Sequence, residues 1–451
     1  MTSNSWLDVG YGADLQEFLL KHSHVKMVLD NQVRRTFAGA DVNTIIALLS
    51  SADDGSDWGV DKTARFVMFR VPYEQVVSPV IFDEIEAATE RRATPEYRIF
   101  PIKQDKLLAD GCEIPEEEEA GHNKISGPLI KVAHYIGNKW GGKYLRAPDI
   151  YWRILEKGKG KLVRLGDIFD GERYLNTGGA DGFFIINKAK RTNKGCFIIY
   201  NNAAIGKNEP YVGEIEEQYL FPLIKDYTKD NKRIEIGGYD AFCIVIGDNP
   251  TPKAKEYIKW GERQGYHLRS VTKTQKPWYR PTRQMLASAR ILVPRSFNNT
   301  YVIHYNPRNY LSLRFYRLHI KQGDELILVA WLNSALLSLF IETLGNRSLG
   351  QGVLDFFMAD FLELRVPLVF DDKLKGVIKQ IKDIPIRPVD KEYGLNTDPI
   401  KGTISWNPST EREALDGIVF DSIGLSCNER SDVYEGIINL VEARLKKADS
   451  V

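Results

Sequence analysis

With 451 residues, 43% of them hydrophobic, the chain is long enough for roughly two to four domains with sizeable cores. Its 61 lysines and arginines nearly match its 60 aspartates and glutamates, so a nucleic-acid surface would need its basic residues on one face. The four cysteines include no Cys-x-x-Cys pair and the seven histidines form no cluster, which excludes a disulfide framework and a metal site of these ligands.

The first hundred residues alternate between helical and strand patterns. Apolar residues recur at helical spacing over 15–20, and short apolar runs typical of buried strands follow over 25–29 and 42–49. The run 63–71 alternates like a further strand, and 81–92 is amphipathic like a helix. This order predicts the sheet and helices of a nucleotide-type α/β fold.

Two glycines near the start, Gly10 and Gly12, have two possible roles. A glycine-rich turn lets the backbone approach S-adenosylmethionine or a dinucleotide, and Asp30, 18 residues after Gly12, suits the ribose of such a ligand. However, only six residues precede Leu7 and four of them are polar, so no buried strand leads into the turn. We favour a surface turn into a helix and keep the cofactor site of Gly10, Gly12 and Asp30 as the alternative.

A glycine-rich loop over 176–182 stands at the centre of a second block. An apolar run precedes it and another follows over 183–186, which predicts a hairpin with a glycine turn. The glycines would also let the backbone approach a phosphate closely. The candidate DNA contacts of this block are Lys161, Arg164, Thr177, Gly178 and Gly179.

Residues 251–290 carry the clearest charge asymmetry of the chain. Ten lysines and arginines stand against two glutamates, a net charge of +8, and two tryptophans and three tyrosines lie among them. Cations neutralise phosphates and release counterions, while aromatic rings and arginine can contact bases. A merely solvated basic face is the competing interpretation. The candidate DNA contacts here are Lys273, Lys276, Trp278, Tyr279 and Arg280.

A third block follows an apolar stretch over 331–340, which predicts a buried helix. Arg347, Ser348 and Gln351 come after it, and their side chains suit phosphate oxygens or the edges of guanine and adenine. The competing role for this stretch is a helix C-terminal turn in which glycines relieve strain. The end of the chain, 412–451, has the spacing of helices that pack.

These blocks resemble adenine-N6 DNA methyltransferases that are fused to their own target-recognition domain, as in type IIG restriction–modification enzymes. The resemblance rests on several segments that occur in the family's order: Thr2 to Leu7, Phe37 to Thr44, Leu165 to Phe169, Lys276 to Tyr279, Arg347 to Leu354 and the helical end. In that family the opening block follows the catalytic Asn-Pro-Pro-Tyr motif and forms the far strands of the methyltransferase sheet.

The resemblance implies an α/β protein with an incomplete methyltransferase-type sheet, an α/β target-recognition domain and a helical C-terminal tail. The domain limits that follow are 1–80 for the last methyltransferase strands, 81–160 for a connecting region, 161–370 for the target-recognition domain and 371–451 for the helical segment.

The sequence has no Pro-Pro pair and so no Asn-Pro-Pro-Tyr motif, which in this family holds the adenine amino group. The resemblance therefore implies S-adenosylmethionine for the complete enzyme and no cofactor for this chain alone. It implies two partners, double-stranded DNA and a methyltransferase chain that carries the upstream motifs.

We expect the DNA-recognition portion of a site-specific adenine-N6 methyltransferase that does not methylate DNA by itself. One alternative is a self-contained S-adenosylmethionine-dependent methyltransferase, and another is a stand-alone DNA-specificity subunit. The chain has no signal-like start and no membrane-length apolar run, so we expect a cytoplasmic protein without a membrane partner.

Overall fold

The computed structural model of the protein describes most of the chain, in these ranges: 1–8, 10–35, 37, 42–51, 59–113, 134–173, 176–192, 194–205, 209–225, 233–347, 352–397 and 404–450. The described residues form a mixed α/β fold with several small sheets and a helical C-terminal region. This confirms the predicted fold class. Candidate residues Ser348 and Gln351 lie outside the described residues.

The described part of residues 1–103 forms a six-stranded sheet with helices beside it. Its elements are β1 Thr2–Ser3, α1 Gly12–His22, β2 Ser23–Asn31, β3 Thr44–Ser51, β4 Thr63–Phe69, α2 Tyr73–Val76, α3 Pro79–Ala87, β5 Arg92–Ala93 and β6 Tyr97–Lys103. The strand order is β1-β3-β2-β4-β6-β5, and β2 and β4 run parallel while the other neighbours run antiparallel. The helix predicted over 81–92 ends at Ala87, because the chain turns there into a strand that pairs with β6.

Strand β2 is apolar because both of its faces are covered. Val28 faces the cluster that contains Leu20 of α1, and Leu29 faces the opposite cluster, which contains Ile85 of α3. Helices on the two faces of one strand are the arrangement that the alternating patterns of the opening block predict.

The middle of the chain is built from short strands. Its elements are α4 Gln104–Gly111, β7 Cys112–Glu113, β8 His134–Tyr135, a π-helical turn Gly141–Arg146, α5 Asp149–Lys157, β9 Leu162–Arg164, α6 Leu165–Ile168, β10 Phe169–Glu172, α7 Asp181–Phe184, β11 Ile185–Ile186, β12 Ala189–Arg191, β13 Cys196–Asn201, β14 Tyr211–Glu216, β15 Leu220–Ile224, β16 Ala241–Ile244, α8 Pro252–Arg263, β17 Ile291–Pro294, β18 Ser296–Phe297, β19 His304–Tyr305, β20 Leu311–Ser312 and β21 Phe315–Ile320. Two small sheets have the orders β10-β21-β17-β19 and β11-β16-β15-β20.

The hairpin predicted around the glycine loop is wrong. The strand before the loop, β10, pairs with β21, and the strand after it, β11, pairs with β16. The apolar run after the loop begins with the helical turn α7, because Phe183 and Phe184 insert into a buried cluster instead of lining a strand.

The last part of the chain is mainly helical. Its elements are α9 Glu325–Leu332, α10 Ala335–Leu344, β22 Leu354–Asp355, α11 Met358–Leu362, β23 Arg365–Pro367, α12 Lys373–Ile381, α13 Val389–Glu392, β24 Leu395–Thr397, β25 Ile404–Trp406, α14 Thr410–Ser422 and α15 Cys427–Ala448. The predicted helices at the end are confirmed within the described residues.

The buried helix predicted over 331–340 consists of parts of two helices, α9 and α10. The chain breaks between them because Asn333 bonds to the backbone of Ile303 and Ser334 caps α10. Among the described residues, no single helix is long and apolar enough to cross a membrane, and only the pair α9 and α10, bent by 57°, reaches that length and composition together.

Two large apolar clusters lie outside the opening sheet, beside a small third one that contains Leu292. The larger cluster, which we call the main core, joins α5 and β10 to the helices α9, α10, α12, α14 and α15. The smaller cluster, which we call the small lobe, lies within residues 180–313 and contains α7, the strands β11 to β16 and α8. The domain limits predicted from the sequence stay a prediction.

A buried glutamate near the end of α10 joins distant parts of the chain. Glu342 is fully buried and accepts hydrogen bonds from Arg347 at 2.5 Å, from Arg444 at 3.0 Å and from the hydroxyl of Tyr301. Burial alone would raise the pKa of Glu342, but the guanidinium groups of Arg347 and Arg444 reverse this and hold it below its ordinary value. Glu342 is therefore an ionised residue in the main core.

The opening block reaches the same place through a buried ion pair. Arg146 contacts Asp8 at 2.9 Å, and it also donates to the carbonyls of Thr343 and Gly345. Asn43 donates to the carbonyl of Arg347 at 2.5 Å. The N-terminal sheet is thus attached to the end of α10 by polar contacts.

We predict that Glu342→Gln destabilises the protein by about 3–5 kcal/mol, because two buried guanidinium groups lose their carboxylate. Urea unfolding at neutral pH measures this loss. Glu435→Gln, which changes an exposed glutamate of α15, is the matched control and should cost little. An equal, small loss in both variants would contradict the prediction.

We also predict that His304 makes stability fall as the pH drops below neutral. Burial lowers the pKa of His304 to about 4, so the folded state stays neutral while the unfolded state takes up a proton near pH 6.5. Stability from this group is present above the unfolded pKa and is lost as the pH falls toward the folded pKa, by about 3 kcal/mol. Unfolding of His304→Gln at pH 7 and pH 4.5 should show a smaller loss than wild type. The exposed control His22→Gln should keep the wild-type loss.

Candidate nucleic-acid interface

The glycine-rich loop lies against the basic segment. The carbonyl of Gly178 accepts a hydrogen bond from the hydroxyl of Ser270 at 3.0 Å. A Cβ added to Gly179 would lie 3.9 Å from Cδ of Arg269, so that side chain lies against the loop. Gly178 has φ of +62°, and a Cβ on it would lie 2.4 Å from Cγ2 of Val271. The structure therefore brings together two blocks that the sequence nominated separately.

Helix α8 and the aromatic residues after it fix this contact. Trp278 packs on Phe183 of α7 with 4.7 Å between ring centroids, and its indole N–H donates to Glu262 at 3.1 Å. Tyr257 donates to the carbonyl of Phe183 at 2.6 Å, and burial raises its pKa, which keeps that hydroxyl protonated. Trp278 is thus half-buried in the small lobe, with Tyr279 at its edge.

The candidate cations of the segment fall into two groups. Arg280 forms an ion pair with Asp248, which occupies its guanidinium group. Lys273 and Lys276 are exposed, and within the described part of the chain neither ammonium group has an ion-pair partner. These two lysines therefore carry uncompensated charge on the segment that contacts the glycine loop, together with the exposed Arg269.

Two earlier candidates lie against the C-terminal helical region instead. The ammonium group of Lys161 donates to the carbonyl of Ser422 at 2.8 Å. Arg164 forms a two-pronged ion pair with Glu363. Thr177 is buried, and its hydroxyl bonds to Asp181 within the glycine loop. None of these three side chains presents its polar group freely in this structure.

Arg347 has an internal role in this structure. Its side chain is 11% exposed and its guanidinium group contacts Glu342, while burial lowers its pKa to about 10. A contact with DNA would require that group to leave a buried carboxylate, which is costly. We therefore omit Arg347 from the contacts that we propose, although the sequence nominated it.

The alternative cofactor residues are also engaged within the chain. A Cβ on Gly12 would lie 1.9 Å from the carbonyl oxygen of Trp6, so a close backbone approach accounts for this glycine. Gly10 is exposed and faces open space. Asp30 is buried and accepts a hydrogen bond from Lys447 of α15 at 2.8 Å. This geometry does not favour a ligand at Gly10, Gly12 and Asp30.

A cavity of about 790 Å³ lies between the end of β2 and α15, and Asp30 and Lys447 are part of its lining. Arg98, also in the lining, donates to the carbonyls of Leu145 and Ala147, and burial lowers its pKa to about 10. The polar groups named here are thus bound to the protein itself.

Sequence reasoning missed Ser270, whose hydroxyl closes the contact between the two blocks, and it named Arg269 only as one of ten basic residues. The available signal was the pair Gly178-Gly179, which marks a close backbone approach without naming the segment approached. The sequence of 251–290 alone could not identify which lysines would remain unpaired.

Comparison with known proteins finds a family model that matches this chain. The family model described as the C-terminal domain of the type II methyltransferase M.Eco57I matches residues 156–387, just over half of the chain. No curated protein matches the sequence significantly. The solved structure of the type IIG restriction endonuclease BpuSI is similar, with a TM-score of 0.41 and 13% sequence identity, over 99% of this chain and 47% of that one. The chain thus spans about half the length of that enzyme.

We predict that Gly178→Ala disturbs the contact between the loop and the basic segment, because the added Cβ would overlap Val271. Gly195→Ala is the matched control, since Gly195 also has a positive φ, +65°, but open space around it. Both variants bear the backbone strain of about 1–2 kcal/mol, and Gly178→Ala should lose roughly 1–3 kcal/mol more in urea unfolding. Equal losses would contradict the packing that we describe.

Proposed function

The chain belongs to the family of the C-terminal domain of the type II methyltransferase M.Eco57I, and on this premise we propose that it recognises DNA for a restriction–modification methyltransferase. In this proposal the chain is the DNA-recognition portion of a site-specific adenine-N6 enzyme. S-adenosylmethionine is the cofactor of the complete enzyme.

The observation that carries the proposal is the unpaired charge beside the glycine loop. Lys273 and Lys276 are exposed on the segment that contacts the glycine loop through residues 269–271, and Gly179 of that loop is itself exposed. Lysines neutralise phosphates with release of counterions, and an uncovered loop can approach the DNA backbone closely. Other cations in the chain, such as Arg164, are paired with carboxylates instead.

Two observations support a need for further methyltransferase elements. The sequence contains no Asn-Pro-Pro-Tyr motif, so we propose that this motif and the cofactor site come from a segment or chain outside these residues. Strand β3 pairs with β2 along its length but with β1 only at Thr44 and Ile45, so within the described residues the rest of its outer edge has no partner strand. An open strand edge suits a partner that adds a strand.

We predict that replacing both lysines by alanine weakens duplex binding and flattens its salt dependence. Lys273→Ala/Lys276→Ala should reduce the slope of log K against log salt by about two, roughly one for each lost phosphate contact. Fluorescence anisotropy with a labelled duplex over a salt series measures the slope. Lys103→Ala/Lys106→Ala removes two exposed charges from the opening block and should leave the slope unchanged.

The same titrations separate the proposed function from its alternatives. An unchanged slope in Lys273→Ala/Lys276→Ala would remove this surface from the interface. Saturable S-adenosylmethionine binding by the chain alone, measured by calorimetry, would favour a self-contained methyltransferase. Salt-dependent binding by a chain that recovers no methyltransferase component from its own cells would favour a stand-alone specificity subunit.

A further inference from the structure

We propose that Leu268 is a wedge that enters between neighbouring base pairs of a bound duplex. The inference rests on the proposed function and extends it, because it assigns a residue that deforms DNA instead of one that holds its phosphates.

Leu268 is a large apolar side chain held out in solvent. It is 69% exposed and ends the 3-10 turn Tyr266–Leu268, which follows Gly265 at a φ of +76°. An exposed leucine gains nothing from folding, because its apolar surface stays in water. The reason for its exposed position therefore has to lie in the residues around it.

The turn beneath Leu268 is anchored on both sides. Tyr266 is buried, donates to the carbonyl of Ala203, and packs beside Trp260 with 5.9 Å between ring centroids. The carbonyl of Tyr266 in turn accepts a hydrogen bond from the hydroxyl of Thr272. The backbone that presents Leu268 is thereby fixed to the small lobe, so the leucine can enter a partner without a large loss of chain entropy.

The charges around Leu268 favour duplex DNA as the occupant. Arg269 follows it directly, and Lys273 donates its backbone N–H to the carbonyl of Arg269 at 2.9 Å. All three residues, with Lys276, are exposed on one segment beside the glycine loop. An apolar tip on a segment of exposed cations suits a partner with anionic edges and an apolar interior, and stacked base pairs flanked by phosphates have this arrangement.

Leucine is one of the side chains that proteins insert between base steps to unstack and kink a duplex. Insertion costs stacking energy, which phosphate contacts on either side can offset. An enzyme that modifies a base must also take it out of the stack, and a wedge at the same site lowers the cost of that step.

The first experiment measures whether the chain unwinds DNA through Leu268. A nicked plasmid is ligated at saturating concentrations of wild type, Leu268→Ala or Leu286→Ala, and the linking number of the deproteinised product is read on a gel. Leu286 is the matched control, because it is another exposed leucine of the basic segment. We expect wild type and Leu286→Ala to shift the linking number and Leu268→Ala to lose the shift while it still binds the plasmid.

A second experiment removes the stacking that a wedge must open. Wild type should bind a duplex with one abasic gap roughly tenfold or more tightly than the intact duplex, and Leu268→Ala should lose this preference. The salt slope should be the same for wild type and Leu268→Ala, since no phosphate contact is removed. The thermal unfolding midpoint should also stay unchanged, because the side chain is exposed.

The outcomes distinguish the wedge from the proposed function. Salt-dependent binding with no linking-number shift in wild type, or with an equal shift in Leu268→Ala, would overturn the wedge and leave DNA recognition standing. If wild type shows no salt-dependent binding to duplex DNA, the proposed function fails and the wedge fails with it.

Discussion

A carboxylate surrounded by guanidinium groups holds the main parts of this protein together. Glu342 lies in the most apolar region of the chain, yet it is ionised because Arg347 and Arg444 approach it from different segments. The same end of α10 offers its carbonyls to Arg146, which is fixed in turn by Asp8. Buried charges are tolerated only when they are paired with opposite charges, so this site restricts how the N-terminal sheet, α10 and α15 can be arranged.

The two cores use their basic residues differently. In the main core, arginines such as Arg444 and Arg412 are buried against carboxylates and serve the fold. In the small lobe, aromatic packing around Phe183 gives rigidity, and lysines such as Lys273 and Lys276 remain uncommitted at the surface. The near-neutral composition of the whole chain therefore hides an uneven distribution, in which free positive charge remains on the segment that contacts the glycine loop.

The sequence predicted the elements whose pattern is set by local burial. The alternation of β4, the continuous apolar run of β2 and the helical spacing of apolar residues in α15 could all be recognised in the sequence. In each of these elements, the pattern of buried residues follows the period of the element itself. The hairpin after the glycine loop was predicted wrongly, because a run that starts with Phe183 has no period of its own and its partners are distant strands. The predicted helix boundaries were wrong where a side chain bonds to a distant part of the fold, as Asn333 does between α9 and α10.

From the sequence, the candidate site could be recognised only by its residue composition. A run of basic and aromatic residues was visible, but whether a cation is free depends on acids elsewhere in the chain. Glu342 was one usable signal in the sequence, because a single acidic residue in an apolar helix requires a cation as its partner. Its nearer partner, Arg347, is only five residues away, whereas Arg444 is 102 residues away. Spacing alone cannot identify such distant partners.

The pair formed by Asp30 and Lys447 also affects the order in which the protein can fold during synthesis. Strand β2, which contains Asp30, leaves the ribosome well before α15, because Asp30 and Lys447 are 417 residues apart. Until then, the carboxylate of Asp30 and the end of β2 remain hydrated, and the opening sheet lacks the lid that covers them. The sheet that contains β2 thus starts to fold before α15 is made and completes its packing only after α15 has emerged.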